Sequence, residues 1–227
     1  MVIDRQKAQS ELHTIVDALN TLPAFEKVLN EEIGFDNWYF NNELDIPSYI
    51  YIDYGKTRMV VYVDGAEYVF KFNRFNHKNI DYNDQEYRIY QKAKEFGADE
   101  WLCPVIKMNI GYITILCAPY LNVDDCEMSD LSFDHQLKQY CARNDIQIDE
   151  LSDDERDEIY DEVDRIYSDS TDGMIEFMQS VYGYEAVKNL QAFIDEISLN
   201  DLHCGNWGMD GERYYIIDYA GYNLVIQ

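Results

Sequence analysis

Apolar residues recur along this chain with two different periods, and the changes of period divide it into segments. Over the first ~22 residues, Ala8, Leu12, Ile15, Val16 and Leu19 fall on one side of a helix. Pro23 suits the first turn of a second helix, expected to run to Gly34. The period then shortens. "SYIYIDYGKTRMVVYVDGAEYVFKFNRF" is β-branched and aromatic and contains the hairpin dipeptide Asp64-Gly65. It predicts antiparallel strands over about 49–54, 58–63 and 66–72. A helix over "NDQEYRIYQKAKEFG" follows, with Asn83 or Asp84 as its cap and Gly97 as its stop. "LCPVIKMN" and "YITILCAPYL" read as further strands of the same sheet. From residue 127 to 199 the pattern is helical and ends in "YEAVKNLQAFIDEIS", where Val187, Leu190, Ile194 and Ile197 share a face. A last hairpin turns at Asp210-Gly211, between "NWGM" and "RYYIID". Helices, a sheet with one inserted helix, helices again and a hairpin predict an α+β fold in two lobes.

Composition narrows the class. A chain of 227 residues with 47% hydrophobic content can bury a substantial core. No apolar run nears the ~20 residues that cross a bilayer, and "MVIDRQKAQSELH" carries charges where a signal peptide needs an apolar core. A cytoplasmic location without membrane association is expected. The five cysteines, Cys103, Cys117, Cys126, Cys141 and Cys204, are scattered with no C-x-x-C pair, and read as reduced packing residues. The net charge of −26 argues against direct binding of nucleic acid and leaves a basic protein as a conceivable partner. Much of the acidity lies in "DELSDDERDEIYDEVDRIYSDSTD". There Ile159, Val163, Ile166 and Tyr167 predict a solvated helix with one buried stripe, the alternative being a docking surface read by its charge.

Two charges stand where apolar residues are expected. Lys71 interrupts the strand "YVFKF", on the face shared with Val69 and opposite Phe70 and Phe72. Glu86 precedes Ile89, Tyr90 and Ala93 by three, four and seven positions, which sets it on the buried stripe of the next helix. Each has a bland explanation, a lysine snorkelling at a sheet edge and an acid favoured by a helix N-terminus. Together they are best explained by each other. Near the C-terminus, "ISLNDLHCGNWGMDGERYYIIDYAGYN" gathers Asp201, Asn206 and Asp218. The hairpin returns Asp218 toward the end where Asn206 starts, and an amide and a carboxylate there make hard oxygen ligands suited to Mg²⁺. Asp201 is near enough in sequence to orient a hydroxyl or take its proton.

The spacing D-x4-N followed by the aspartate of "IIDYAG" resembles the catalytic loop and metal motif of the protein-kinase-like superfamily. "DLHCGNWG" is most similar to the form found in aminoglycoside phosphotransferases and choline kinases. The resemblance covers roughly residues 48–222. It implies a two-lobed fold: a helical extension over 1–47, an N-lobe antiparallel sheet with one helix plus hinge over 48–121, and a reduced helical C-lobe over 122–227. It also implies an ATP- and Mg²⁺-dependent phosphotransferase acting on a small-molecule or protein hydroxyl. Asp201 would be the catalytic base and Asn206 and Asp218 the metal ligands. Lys71 would hold the nucleotide phosphates, Glu86 would orient Lys71, and Val69 would roof the adenine. Pro119, Tyr120 and Leu121 of "LCAPYLNV" would form the hinge, and Gly55 would remain from the phosphate loop. In this setting His203 braces its loop and Trp207 packs. Two departures favour a second reading, a non-catalytic kinase-like module whose acidic surface binds a basic protein or mimics DNA. The glycine-rich loop is thinned to "DYGKTRM", and nine residues after Asp218 leave no room for an activation segment or a protein-substrate platform.

Overall fold

The computed structural model describes residues 1–55, 57–74, 81–122, 128–167, 171–199 and 206–219. The chain divides into two units, one of Met1–Lys92 with Cys103–Tyr120, the other of Ala93–Leu102 with the described part of Leu121–Val225. Among the described residues are eight α-helices and a five-stranded antiparallel sheet.

In the first unit, helix α1 (Arg5–Leu19) is capped by Asp4, whose carboxylate accepts from the N–H groups of Gln6 and Lys7. Its expected face, Ala8, Leu12, Ile15, Val16 and Leu19, is buried throughout. Of the single helix predicted over 23–34 only α2 (Phe25–Leu29) forms, and a separate helix, α3 (Phe35–Asn42), begins after Gly34. Ala24 and Glu31 take left-handed φ values of 62° and 58°, which bend the chain on either side of α2. The break has a packing reason. Ten residues of continuous helix would hold Phe25 and Phe35 ~15 Å apart along the axis. The bends bring their ring centroids to 6.3 Å.

The sheet is formed by β1 (Ile50–Tyr54), β2 (Arg58–Val63), β3 (Tyr68–Asn73), β4 (Ile106–Ile110) and β5 (Ile113–Pro119), in the order β1-β2-β3-β5-β4. All five strands therefore lie near their predicted positions in one sheet, and Gly65 carries the positive φ of 70° that the β2–β3 turn needs. Alternation gives the sheet two unlike faces. Met59, Val61, Phe70, Phe72, Ile115 and Cys117 join α1, α2 and α3 in one apolar core. Residues 1–47 thus form a layer of this unit and share its core with the sheet. The other face carries Arg58, Val60, Lys71 and Leu116, with Val60 opposite Lys71 and Lys71 opposite Leu116.

Helix α4 (Tyr82–Phe96) lies against that second face. Its cap is Asp81, which accepts from the N–H of Asp84 at 3.0 Å, and not Asn83 or Asp84 as the pattern predicted. Asn83 is instead fully buried, and its amide donates to the carbonyls of Lys71 (2.9 Å) and Thr114 (3.1 Å). A short polar residue that would suit a cap is thereby used to fasten the helix to two strands. Gly97 ends the helix with φ at 67°.

The second unit contains α5 (Met128–Asn144), α6 (Asp153–Tyr167), α7 (Thr171–Tyr182) and α8 (Tyr184–Ile197). The expected face of α8 is buried, with Phe193 added to it. On acidic α6 the buried stripe is narrower than predicted: Val163 is fully buried, Ile159 half-buried and Ile166 40% exposed, and the side chain of Tyr167 lies outside the described set. Strands β6 (Trp207–Met209) and β7 (Tyr214–Ile216) make the second hairpin. It turns at Asp210, whose carboxylate accepts from the N–H groups of Glu212 and Arg213, both at 3.0 Å. Gly211 follows with φ at 98°. The guanidinium of Arg213 caps the hairpin's packing, 3.7 Å from the centroid of the Trp101 ring.

Candidate functional site

The two misplaced charges meet. Lys71 Nζ donates to Glu86 Oε1 at 2.7 Å, with the lysine 6% and the glutamate 0% exposed. Strand alternation sends Lys71 away from the α1–α3 core, and helical spacing turns Glu86 toward the sheet, so neighbouring elements deliver the pair. A third residue joins them that the sequence reading missed. Arg58, 3% exposed at the first position of β2, donates from Nη1 to Glu86 Oε2. Arg58 faces Asn73 and Val60 faces Lys71 across β2 and β3, so Arg58 and Lys71 are diagonal neighbours on one face. A polar residue at a strand's first position reads as a solvated end. The signal that could have found it is its parity with Val60, which points it to the face bearing Lys71.

Around this trio, Val69 lies on the same face and pairs with Ala118. Gly55 N–H donates to Arg58 O at 2.9 Å and Gly55 O accepts from Arg74 at 3.0 Å, which closes a tight turn between β1 and β2. Among the described residues a Cβ on Gly55 would meet Arg58 O alone, at an ordinary 3.6 Å, so they give no reason for glycine here. Lys56 lies outside the described residues. Of the expected hinge, Pro119 ends β5 and has no N–H to offer, and the N–H of Tyr120 is donated to Glu67 O at 2.8 Å. Leu121 belongs to the second unit, where a Cβ added to Gly208 would come within 2.8 Å of its Cβ. Glycine at 208 is what lets the hairpin approach that close.

Asn206 and Asp218 belong to the second unit, at the open end of the β6–β7 hairpin. Ile217 N–H donates to Asn206 O at 2.8 Å, so the main chain of Asp218 starts one residue from that bond. Asn206 is 8% exposed and Asp218 is half-buried. Both offer the hard oxygen donors that Mg²⁺ takes, and two such ligands suit an ion that completes its shell with water and phosphate oxygens. Among the described residues no group of three or more His, Cys, Asp or Glu could hold a metal by itself. Asp201, His203 and Cys204 lie outside the described residues, as does Cys126.

Cys103 and Cys117 are buried thiols in the first unit, and burial pushes both up to about 12. Neither is therefore a nucleophile near neutral pH. Iodoacetamide at pH 8 is expected to leave both unmodified in the folded protein and to alkylate both in urea, read by mass spectrometry. Unfolded thiols ionise near pH ~8.5. The folded state therefore binds more protons above that pH, and its stability falls as pH rises toward 12.

No family model, curated protein or solved structure matches this chain. No helix among the described residues is long and apolar enough to cross a membrane.

Proposed function

We propose that the chain is a phosphotransferase of the protein-kinase-like kind, with a two-lobed fold, that uses ATP and Mg²⁺ to phosphorylate a hydroxyl. The observation that carries this reading is the Lys71–Glu86 pair, buried on one sheet face at 2.7 Å. The reading requires those two residues to meet. A buried carboxylate that fixes a lysine ammonium leaves it oriented for phosphate oxygens with little reorganisation. Val69, on the same face, would contact the base. Because Pro119 has no N–H and that of Tyr120 is committed to Glu67, donors to the base would come from Leu121 onward.

Asn206 and Asp218 would hold Mg²⁺, which when bound supplies charge neutralisation between phosphate oxygens. Asp201 would take the proton of the acceptor hydroxyl, and Lys71 would hold the nucleotide phosphates. The tight Gly55 turn favours a second reading, a non-catalytic module that meets a basic protein through its acidic surface, because the Gly55 N–H is committed to Arg58 O and not offered to phosphate.

The two readings separate by turnover. Incubated with ATP and Mg²⁺, the full chain is expected to release ADP as the γ-phosphoryl group passes to water in place of an alcohol, and Asp201→Ala to lower the rate by about 10²-fold or more at unchanged melting temperature. ADP release that is absent from the wild type, or equal in the variant, would favour the non-catalytic module.

A further inference from the structure

We propose that the outer edge of β1 is a docking site for an extended basic segment of a partner protein, which adds a strand to the sheet and alternates cationic with apolar side chains. The inference names the surface through which an acidic chain would meet a basic protein. It needs no nucleotide, so its failure and the failure of the phosphotransferase reading are separate results.

The sheet order places β2 on one side of β1, and among the described residues no strand borders the other side. The hydrogen-bond phase of the β1–β2 ladder is set at both ends. Asp64 N–H donates to Tyr49 O and Gly55 N–H to Arg58 O, both at 2.9 Å, and between them the register pairs Tyr51 with Tyr62 and Asp53 with Val60. Bonded and non-bonded pairs alternate along an antiparallel ladder. Positions 49, 51, 53 and 55 therefore spend their main-chain groups on β2, and positions 50, 52 and 54 turn theirs outward. The Ile50 N–H is donated to Pro47 O at 2.9 Å. Ile50 O and the N–H and C=O groups of Ile52 and Tyr54 are left as a template along the edge. Edges are commonly blunted by Lys, Pro, a bulge or a covering segment. The opposite edge follows that rule: β4 carries Lys107, whose carbonyl accepts from Arg5 of α1 at 3.3 Å. By contrast, Ile50–Tyr54 holds no Lys or Pro, and its register with β2 runs without a bulge.

The side chains flanking this edge select the strand it takes. On the face shared with Val60, Tyr51 is 43% exposed and stacks on Tyr62, with centroids 5.2 Å apart and planes at 13°. Tyr62 in turn lies 5.2 Å from Tyr120, itself 43% exposed. Exposed Asp53 stands two residues from Tyr51 on the same face, and exposed Asp64 flanks the start of the strand. Tyrosine rings beside carboxylates suit lysine and arginine. On the other face Tyr54, 59% exposed, adjoins Phe40, 53% exposed, with centroids 6.1 Å apart. The Arg74 guanidinium lies 5.8 Å from the Tyr54 centroid, so that side disfavours a second cation and suits an apolar side chain. Side chains of an added strand alternate between the two faces, which makes its pattern basic, apolar, basic. Charge also decides between partners. Two copies of a chain of net charge −26 repel, whereas a basic segment is attracted and gains main-chain hydrogen bonds as it pairs.

Fluorescence anisotropy measures binding of a short labelled peptide that alternates lysine and valine to the full chain, without nucleotide. The controls are a peptide of the same composition with its lysines in a block and one that alternates glutamate and valine. The alternating basic peptide is expected to bind, and to slow hydrogen exchange of the Ile52 and Tyr54 amides. Tyr54→Pro removes an outward N–H that β2 does not use, a change edge strands tolerate, and should weaken binding about tenfold or more. Asp53→Lys should weaken the basic peptide several-fold and admit the glutamate peptide. If Tyr54→Pro does not fold, Asp53→Lys and the exchange pattern carry the comparison. No binding by wild type, equal binding of the block peptide, equal binding by folded Tyr54→Pro, or unchanged exchange at Ile52 and Tyr54 overturns the proposal. A wild-type dimer that Tyr54→Pro dissociates, with no peptide uptake, assigns the edge to a second copy and overturns it as well.

Discussion

Glu86→Ala is expected to destabilise the sheet-bearing unit by about 3–5 kcal/mol, because it removes the buried carboxylate that two buried cations share. Lys71 and Arg58 are 6% and 3% exposed, so neither can recover its hydration without opening the packing between α4 and the sheet. Urea denaturation followed by circular dichroism measures the loss. Glu86→Gln should cost nearly as much, since it keeps the shape and a hydrogen-bonding oxygen but removes the negative charge that both cations contact. The triple change Arg58→Met, Lys71→Met, Glu86→Leu should regain much of the stability. Apolar residues of similar volume often replace a buried ionic cluster at little cost or with gain. That pattern, a trio dispensable for folding but intolerant of losing one member, is what a cluster kept for chemistry would show. A cost below ~1 kcal/mol for Glu86→Ala would mean that water reaches the cluster and screens it.

The second large effect lies on the opposite face. Trp38→Ala should cost about 3–5 kcal/mol. Trp38 is 1% exposed, its ring centroid lies 4.8 Å from that of Phe25 and 5.5 Å from that of Phe35, and Phe35 in turn lies 4.5 Å from Phe72 of β3. Its indole N–H also donates to Pro23 O at 2.9 Å, across the bend that separates α2 from α3. Removing the ring opens a cavity between helices and sheet and releases the bend at once. Phe40→Ala, two residues on and 53% exposed, should change stability by less than ~0.5 kcal/mol. Equal and small effects at both positions would show residues 1–47 to be an appendage and not a layer of the sheet's core.

The periodic features of this fold were legible in the sequence, because burial imposes its period directly. The face of α1, the five strands and both Asp-Gly hairpins follow from apolar spacing and turn chemistry alone. The Lys71–Glu86 pair was legible for a related reason: a charge is conspicuous where its neighbours at period two or 3.6 are apolar. Arg58 escaped because it begins its strand, where polar residues are ordinary. The bends at Ala24 and Glu31 escaped because neither is glycine, so their left-handed conformations leave no local signal and answer only to the contact of Phe25 with Phe35. Asp81 was passed over as the α4 cap because Asn83 and Asp84 suit a cap equally well. Only the buried carbonyls of Lys71 and Thr114 decide which of the three turns inward. The roles proposed for Asp201, Asn206 and Asp218 rest on spacing, with the hairpin register bringing the last two to one end of β6 and β7.

Thermal unfolding of the full chain with and without ATP and Mg²⁺, alongside Asp218→Asn, tests the central claim most directly. A ligand that binds only the folded state adds roughly 2.7 kcal/mol at ~100 times its dissociation constant. The account predicts a nucleotide-dependent rise in melting temperature that requires Mg²⁺ for its full size and shrinks in Asp218→Asn. A wild-type melting temperature unmoved by millimolar ATP and Mg²⁺ would contradict it.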